Sequence, residues 1–188
     1  MENALEPNLA PAGEPALTPT GRAILGMLSL GKTSGYDIKQ LVDKSTRHFW
    51  AASYGQIYPE LKRLEDQGLV RGHEEPTGGR PRRVYELTEA GRAALAAWLA
   101  SEREPLYELR DEGMLKLFFS DVLPEQRLAN IRAMRRRMER KLEQLVAVRA
   151  HAHEMSPGPA LTLDLGVTTT ETFIQWCEAV EARLAEKE

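Results

Sequence analysis

The stretch SYGQIYPELKRLEDQGLVRGHEEPTGGRPRRVYELTEAGR, residues 53–92, decides the fold. It opens with Ser53 followed three residues later by Gln56, the spacing of a capping box in which each side chain satisfies the other's free backbone amide. A helix is therefore expected from Tyr54. Along it Ile57, Leu61 and Leu64 recur at i, i+4 and i+7 and make one apolar stripe. After Gly68 two runs, residues 69–73 and 83–87, read as strands, the second alternating apolar and polar side chains. Residues 74–82 are the hairpin between them. Thr88 then caps a further helix, Glu89 supplies early negative charge, and Leu95, Trp98 and Leu99 keep helical spacing. A helix, a hairpin and an exit helix in this order predict a winged helix whose wing is the hairpin tip.

The preceding residues supply the missing scaffold. A helix is expected near Thr20, with Ile24, Leu25 and Leu28 on one face and Gly31 as its stop. A second follows Ser34-Gly35, with Ile38, Leu41 and Val42 at helical spacing, and the link between the two is short. Together they form the scaffold half of a helix-turn-helix.

The chemistry of this half lies in two places. Arg80, Arg82 and Arg83, with Pro81 between, load a stiff turn with positive charge that no apolar core would accept without partners. A phosphate backbone is the natural counterpart. The outer face of the residue-54 helix presents Gly55, Gln56, Pro59, Lys62 and Arg63, with Tyr54 and Tyr58 on its flank. Pro59 removes an amide and presses on the carbonyl of Gly55, which has no side chain to worsen the crowding. Small and polar groups on such a face let a helix approach a duplex closely.

Composition narrows the function classes. The 188 residues are 42% hydrophobic with a net charge of −3, enough for one or two cores and too acidic for indiscriminate coating of nucleic acid. Any nucleic-acid contact must come from a local patch. Cys177 is the single cysteine, so no internal disulfide or thiolate metal cluster is expected, and a reducing cytoplasm fits. His151 and His153 are two apart, which on a helix turns them to nearly opposite sides and argues against a metal site. No nucleophile-and-base constellation is visible among four histidines and one cysteine, so neither enzyme activity nor a cofactor is expected. No apolar run approaches a membrane span. Residues 1–18, rich in Pro, Ala and Glu, are expected to be a flexible arm without a secretory leader's pattern.

The second half is expected to be helical and to assemble the protein. Leu115, Phe118 and Phe119 lie on a helix ending before Pro124. A long helix opens at Pro124-Glu125 and carries Leu128, Ile131, Met134, Met138, Leu142, Leu145 and Val148. Arg135 and Arg149 interrupt a strict heptad, so antiparallel or swapped packing is expected rather than a parallel zipper. A break at Pro157-Gly158-Pro159 precedes a last helix with Phe173, Cys177, Val180 and Leu184 in a stripe beside Trp176. Leu128, Ile131, Met138, Leu142, Leu145, Phe173, Cys177, Val180 and Leu184 are the candidate dimer residues. Residues 132–141 hold six basic side chains against one acid, and the last eighteen residues hold five glutamates against two basic side chains. Pairing of these two runs is favoured over contact with flanking DNA.

Residues 20–99 resemble the amino-terminal domain of the PadR-like transcriptional regulators. The resemblance rests on Gly35-Tyr36-Asp37-Ile38, on residues 55–69 with their Ile-Tyr-Pro and Arg-Leu-Glu steps, and on residues 79–91, Gly-Arg-Pro-Arg-Arg through Leu-Thr-Glu-Ala-Gly. It implies a homodimer in which each recognition helix enters a major groove and each wing touches phosphate or the minor groove. The implied DNA contacts are Ser53, Tyr54, Gln56, Tyr58 and Lys62 on the helix and Arg80, Pro81, Arg82 and Arg83 on the wing. The charge of Arg63 on the outer face of the helix makes it a further phosphate candidate.

The expected architecture is thus mainly α with a small β-hairpin. It comprises the arm 1–18, a winged helix-turn-helix over residues 19–103 and a helical dimerisation domain over residues 104–188. The expected function is a cytoplasmic homodimeric repressor on an inverted-repeat operator, released by a small aromatic effector. Phe49, Trp50, Trp98 and Trp176 are the candidate effector pocket, although aromatic residues at helical spacing are more often core. The competing reading is a winged helix that docks protein rather than specific DNA.

Overall fold

The computed structural model describes residues 17–31, 33–46, 49–76, 82–102, 109–150 and 152–186. It divides into two compact units at the Glu104–Pro105 bond.

In the first unit, α1 (Pro19–Ser29), α2 (Gly35–Lys44) and α3 (Tyr54–Asp66) are followed by β1 (Val70–Glu75), β2 (Arg82–Leu87) and α4 (Glu89–Leu99). Each helix starts where a hydroxyl side chain is available. Thr18 accepts from Gly21 N at 2.9 Å ahead of Pro19, and Ser34 accepts from Asp37 N at 3.1 Å. Gly31, at φ +80°, ends α1 as expected. The α3 stripe of Ile57, Leu61 and Leu64 is fully buried with Ile24, Leu25, Ile38 and Val42, the apolar faces of the first two helices. Three amphipathic helices thus share one core, which Leu69, Val70, Tyr85 and Leu95 extend beneath the hairpin.

The hairpin is antiparallel, from Val70 opposite Leu87 to Glu75 opposite Arg82, so β1 runs two residues beyond its expected end and β2 starts one residue early. Its register puts Val70, Val84 and Tyr85 indoors and leaves Arg71 and the far end of β1, residues 73–75, in solvent. Tyr85 N donates to Thr33 O at 2.6 Å, tying β2 to the α1–α2 link. The hairpin base is closed by the cap of α4: Thr88 Oγ1 donates to Gly68 O at 2.7 Å and to Leu69 O at 3.1 Å, and accepts from Gly91 N at 3.0 Å.

The second unit holds α5 (Glu112–Phe118), α6 (Arg127–Arg149) and α7 (Pro157–Ala185). Two sequence expectations shift. The long helix begins at Arg127 because Pro124–Gln126 is a separate 3-10 turn. Pro157 and Pro159 do not break the chain but form the first turn of α7, where a missing amide costs nothing, and the break falls just before them. α6 and α7 pack antiparallel around Ile131, Met134, Cys177 and Val180, flanked by Leu117, Phe173 and Leu184. Arg135 leaves the α6 heptad to bond Glu181 of α7 at 2.8 Å and Glu139 at 2.8 Å, and Arg132 approaches Glu181 at 3.7 Å. This is the expected pairing of the basic run with the acidic terminal helix.

Candidate nucleic-acid interface

α3 turns one face into the core and the other to solvent. Ser53, Tyr54, Gly55, Gln56, Tyr58, Pro59 and Lys62 are all exposed, with Arg63 half-buried. The two tyrosine rings stack with centroids 6.1 Å apart, and the Lys39 ammonium of α2 sits 5.7 Å from the Tyr54 ring. Tyr58 lies so close to α2 that a Cβ at Gly35 would be 2.6 Å from its Cε1. Glycine at the first position of α2 therefore sets how near that phenol approaches the scaffold.

The capping box gives Gln56 a structural occupation. Ser53 N donates to Gln56 Oε1 at 3.0 Å, and Ser53 Oγ donates to the same oxygen at 3.2 Å. The Gln56 carbonyl oxygen therefore faces back along its own helix. Tyr54, Tyr58 and Lys62 have no such commitment to the cap.

Each described basic candidate has a carboxylate beside it. Lys62 Nζ bonds Asp66 at 3.0 Å, an exposed pair one turn apart. Arg63 bonds Glu60 at 2.8 Å, and Glu60 also accepts from Thr18 Oγ1 at 2.5 Å, which links α3 to the start of α1. Burial alone would raise the Glu60 pKa. Hydrogen bonds from Arg63 and Thr18 and the charge of Arg63 outweigh it and hold the carboxyl below its ordinary value. On β2, Arg82 bonds Asp37 of α2, and Arg83 bonds Glu65 of α3 at 2.8 Å. Glu65 also accepts from Gly72 N at 3.0 Å. The Arg83 hydrogen bond is the main cause of a lowered Glu65 pKa, offset in part by burial, with the Gly72 amide and the Arg83 charge adding to it. Arg80 and Pro81 lie outside the described residues.

Sequence reasoning missed Asp37, Glu60 and Glu65. Glu60 could have been found from its i,i+3 spacing to Arg63. Asp37 and Glu65 reach partners 45 and 18 residues away, and no local pattern announces such pairs.

The other candidates fall differently. Ile131, Leu145, Cys177 and Val180 are buried, and Phe173 and Leu184 half-buried, in one chain's α6–α7 unit, with Leu128, Met138 and Leu142 also half-buried. The solvent-facing apolar groups of that unit are others, including Leu115, Phe118, Phe119, Leu161 and Leu165. Of the candidate effector aromatics, Phe49 is exposed and Trp50 half-buried, while Trp98 has the Arg22 guanidinium 5.7 Å from its ring. An open groove of about 500 Å³ in the first unit is lined by Leu28, Thr33, Tyr85, Arg92, Leu95 and Leu99 among others, and by none of the four aromatics. Trp176 lies on α7, beside Phe173 at 5.9 Å. Among the described residues no cluster of His, Cys, Asp and Glu could hold a metal ion, and no helix is long and apolar enough to cross a membrane.

Comparison with known proteins places this geometry. Residues 24–97 match the transcriptional regulator PadR-like family, and residues 109–185 match the family described as virulence activator alpha C-term. The negative transcriptional regulator PadR of Bacillus subtilis is 30% identical over 173 residues, covering 86% of this chain and 95% of that protein. The chain belongs to the PadR-like family of transcriptional regulators. Among solved PadR-like structures, Bacillus subtilis PadR in complex with operator DNA superposes with a TM-score of 0.79 at 30% identity, covering 86% of this chain and 95% of that one. The same PadR in complex with p-coumaric acid gives 0.72 at 28% identity, covering 89% and 98%. The PadR-like assignment spans both units, since the full-length relative aligns across nearly its whole length.

Proposed function

We propose that this PadR-like regulator is a homodimeric repressor that reads an inverted-repeat operator with α3 and holds the backbone with its wing. One observation carries the reading: the outward face of α3, with Tyr54, Tyr58 and Lys62, belongs to the same small unit as Arg82 and Arg83, in a fold that matches an operator-bound PadR. The first unit is the DNA-binding domain and the second the assembly domain. Two-fold symmetry sets the two α3 helices roughly 34–36 Å apart, one turn of duplex, which fixes the half-site spacing. The relative's description as a negative regulator supports repression, and its complex with p-coumaric acid supports a small aromatic effector. A reducing cytoplasm suits the lone Cys177.

The deciding experiment is a fluorescence-anisotropy titration of the DNA upstream of the chain's own gene, wild type against Arg80→Ala/Arg82→Ala, with random DNA as competitor. Competitor-resistant binding that the double variant loses supports the reading. Affinity should fall at least about tenfold between 50 and 200 mM salt, the loss that about two phosphate contacts produce. Equal, weak binding by both proteins to every upstream fragment would overturn the reading in favour of a protein-docking winged helix. Adding p-coumaric acid to the bound complex tests release.

A further inference from the structure

Arg82 and Arg83 are the described wing arginines, and neither stands alone in the unbound domain. Arg82 crosses from β2 to Asp37 in the first turn of α2, and Arg83 crosses to Glu65 in the last turns of α3. Both acids come from the helix-turn-helix, so both described wing arginines are tied to the helical scaffold.

The Glu65 site is built by more than the pair itself. Gly72 N donates to Glu65 Oε1 at 3.0 Å, so the backbone of β1 fixes the carboxylate from the other side. A Cβ at Gly72 would lie 2.7 Å from that oxygen and 3.0 Å from Arg83 Nε, so the strand is open at the one residue where the pair crosses it. The Arg83 guanidinium also stands 5.7 Å from the Tyr85 ring. Asp37, for its part, is only 29% exposed and its amide is held by Ser34, so its carboxylate is presented to Arg82 from a fixed helix start.

These contacts bear on how the domain meets a polyanion. A guanidinium that is paired with a carboxylate carries little net charge towards a distant phosphate, and a phosphate that approaches must share or displace the acid. We propose that Asp37 and Glu65 are affinity-setting residues: they occupy Arg82 and Arg83 in the free protein and hold down binding to the nucleic-acid backbone. The wing then engages phosphate only by giving up ion pairs. This inference rests on the DNA-binding reading of the same surface.

Neutralising an acid adds about one effective phosphate contact per subunit. Each such contact steepens the salt dependence by about 0.9 in the log–log slope, and is worth about eightfold in affinity at 0.1 M salt. The test is anisotropy of random-sequence duplex across a salt series, using the full-length protein as wild type, Asp37→Asn, Glu65→Gln, the double variant, and Glu86→Gln as a control. Glu86 is an exposed acid on the same strand with the same change in net charge. Circular dichroism establishes that each variant is folded, and the two single variants allow either pair to be read if the other fails to fold.

Asp37→Asn and Glu65→Gln should each bind random duplex at least about eightfold tighter than wild type at 0.1 M salt, the gain from one added contact, with a steeper slope, while Glu86→Gln stays within about twofold. Unchanged or weaker binding with a flatter slope would overturn the proposal, because the acids would then be supports for the arginines rather than competitors. An equal gain in Glu86→Gln would overturn it too, as a general charge effect. A wild type that binds neither upstream nor random DNA at low salt refutes the DNA-binding reading itself, which separates the two failures.

Discussion

Gly91 offers a substitution whose sign runs against helix propensity. It is the third residue of α4, where alanine would ordinarily stabilise a helix by about 1 kcal/mol. A Cβ there, however, would stand 2.0 Å from Leu69 O, and real Cβ contacts essentially never fall below 3.0 Å. Helix and strand must therefore separate by about 1 Å at that point, an overpacking that costs about 1–3 kcal/mol. Leu69 O also accepts from Thr88 N at 3.1 Å and from Thr88 Oγ1 at 3.1 Å. Loss of those two bonds adds about 1 kcal/mol each. The balance for Gly91→Ala is a destabilisation of about 2–4 kcal/mol, or about 10–25 °C in the melting temperature of a unit this size. Gly26 of α1 is the natural contrast, because nothing lies within 4 Å of its Cβ position. Gly26→Ala should gain about 0.5–1 kcal/mol. Thermal and urea unfolding followed by circular dichroism measures both. If the two variants shift stability in the same direction, the argument from the Leu69 contact is refuted.

Three further outcomes are expected. Ser53→Ala should cost about 1 kcal/mol by removing the cap of α3, whereas Ser53→Asp should restore most of it, read as urea midpoints. Burial tends to raise the Asp111 pKa, but the Arg137 hydrogen bond, the Met114 and Gly113 amides and the Arg137 charge together hold it below its ordinary value. A depressed carboxyl stabilises the fold above the unfolded pKa of about 3.9 and loses that contribution as pH falls through the folded one. Asp111→Asn should therefore show a shallower loss of stability than wild type in urea titrations below about pH 4, and identical acid branches would exclude the role. Cys177 is fully buried, and burial, with the nearby Glu181 charge, pushes its thiol pKa up. A thiol-reactive chromogenic disulfide should label it only as the α6–α7 unit opens, so labelling at a rate typical of an exposed cysteine would contradict its place in that seam.

Local signals carried much of this fold, and the reasons can be traced to particular residues. Ser53 with Gln56 announced α3 because a capping box is written in four consecutive residues, and Thr88 announced α4 as a simple hydroxyl cap. Gly31 announced the end of α1 through a backbone angle that other residues rarely adopt. Pro157 misled because proline has opposite meanings inside a helix and at its first turn, and only the cap at Ser156 distinguishes them. The apolar stripes of α6 and α7 were legible as stripes, yet a stripe does not name its partner. Ile131 and Cys177 cover each other within one chain. The face of α3 was visible from the sequence, whereas the acids beside the arginines were not, since Asp37 meets Arg82 only after α2 and β2 are packed on one core.

The Thr88 hydroxyl at the base of the hairpin serves three backbone groups, those of Gly68, Leu69 and Gly91. Helix start and strand end therefore share the Thr88 hydroxyl as a common fastening, and the two are expected to open together. In native-state hydrogen exchange this makes one cooperative opening of what look like two elements. The amides of Thr88 and Gly91 should exchange with the same opening free energy and respond together to any substitution at either end. Wing and exit helix are, in that sense, one foldon.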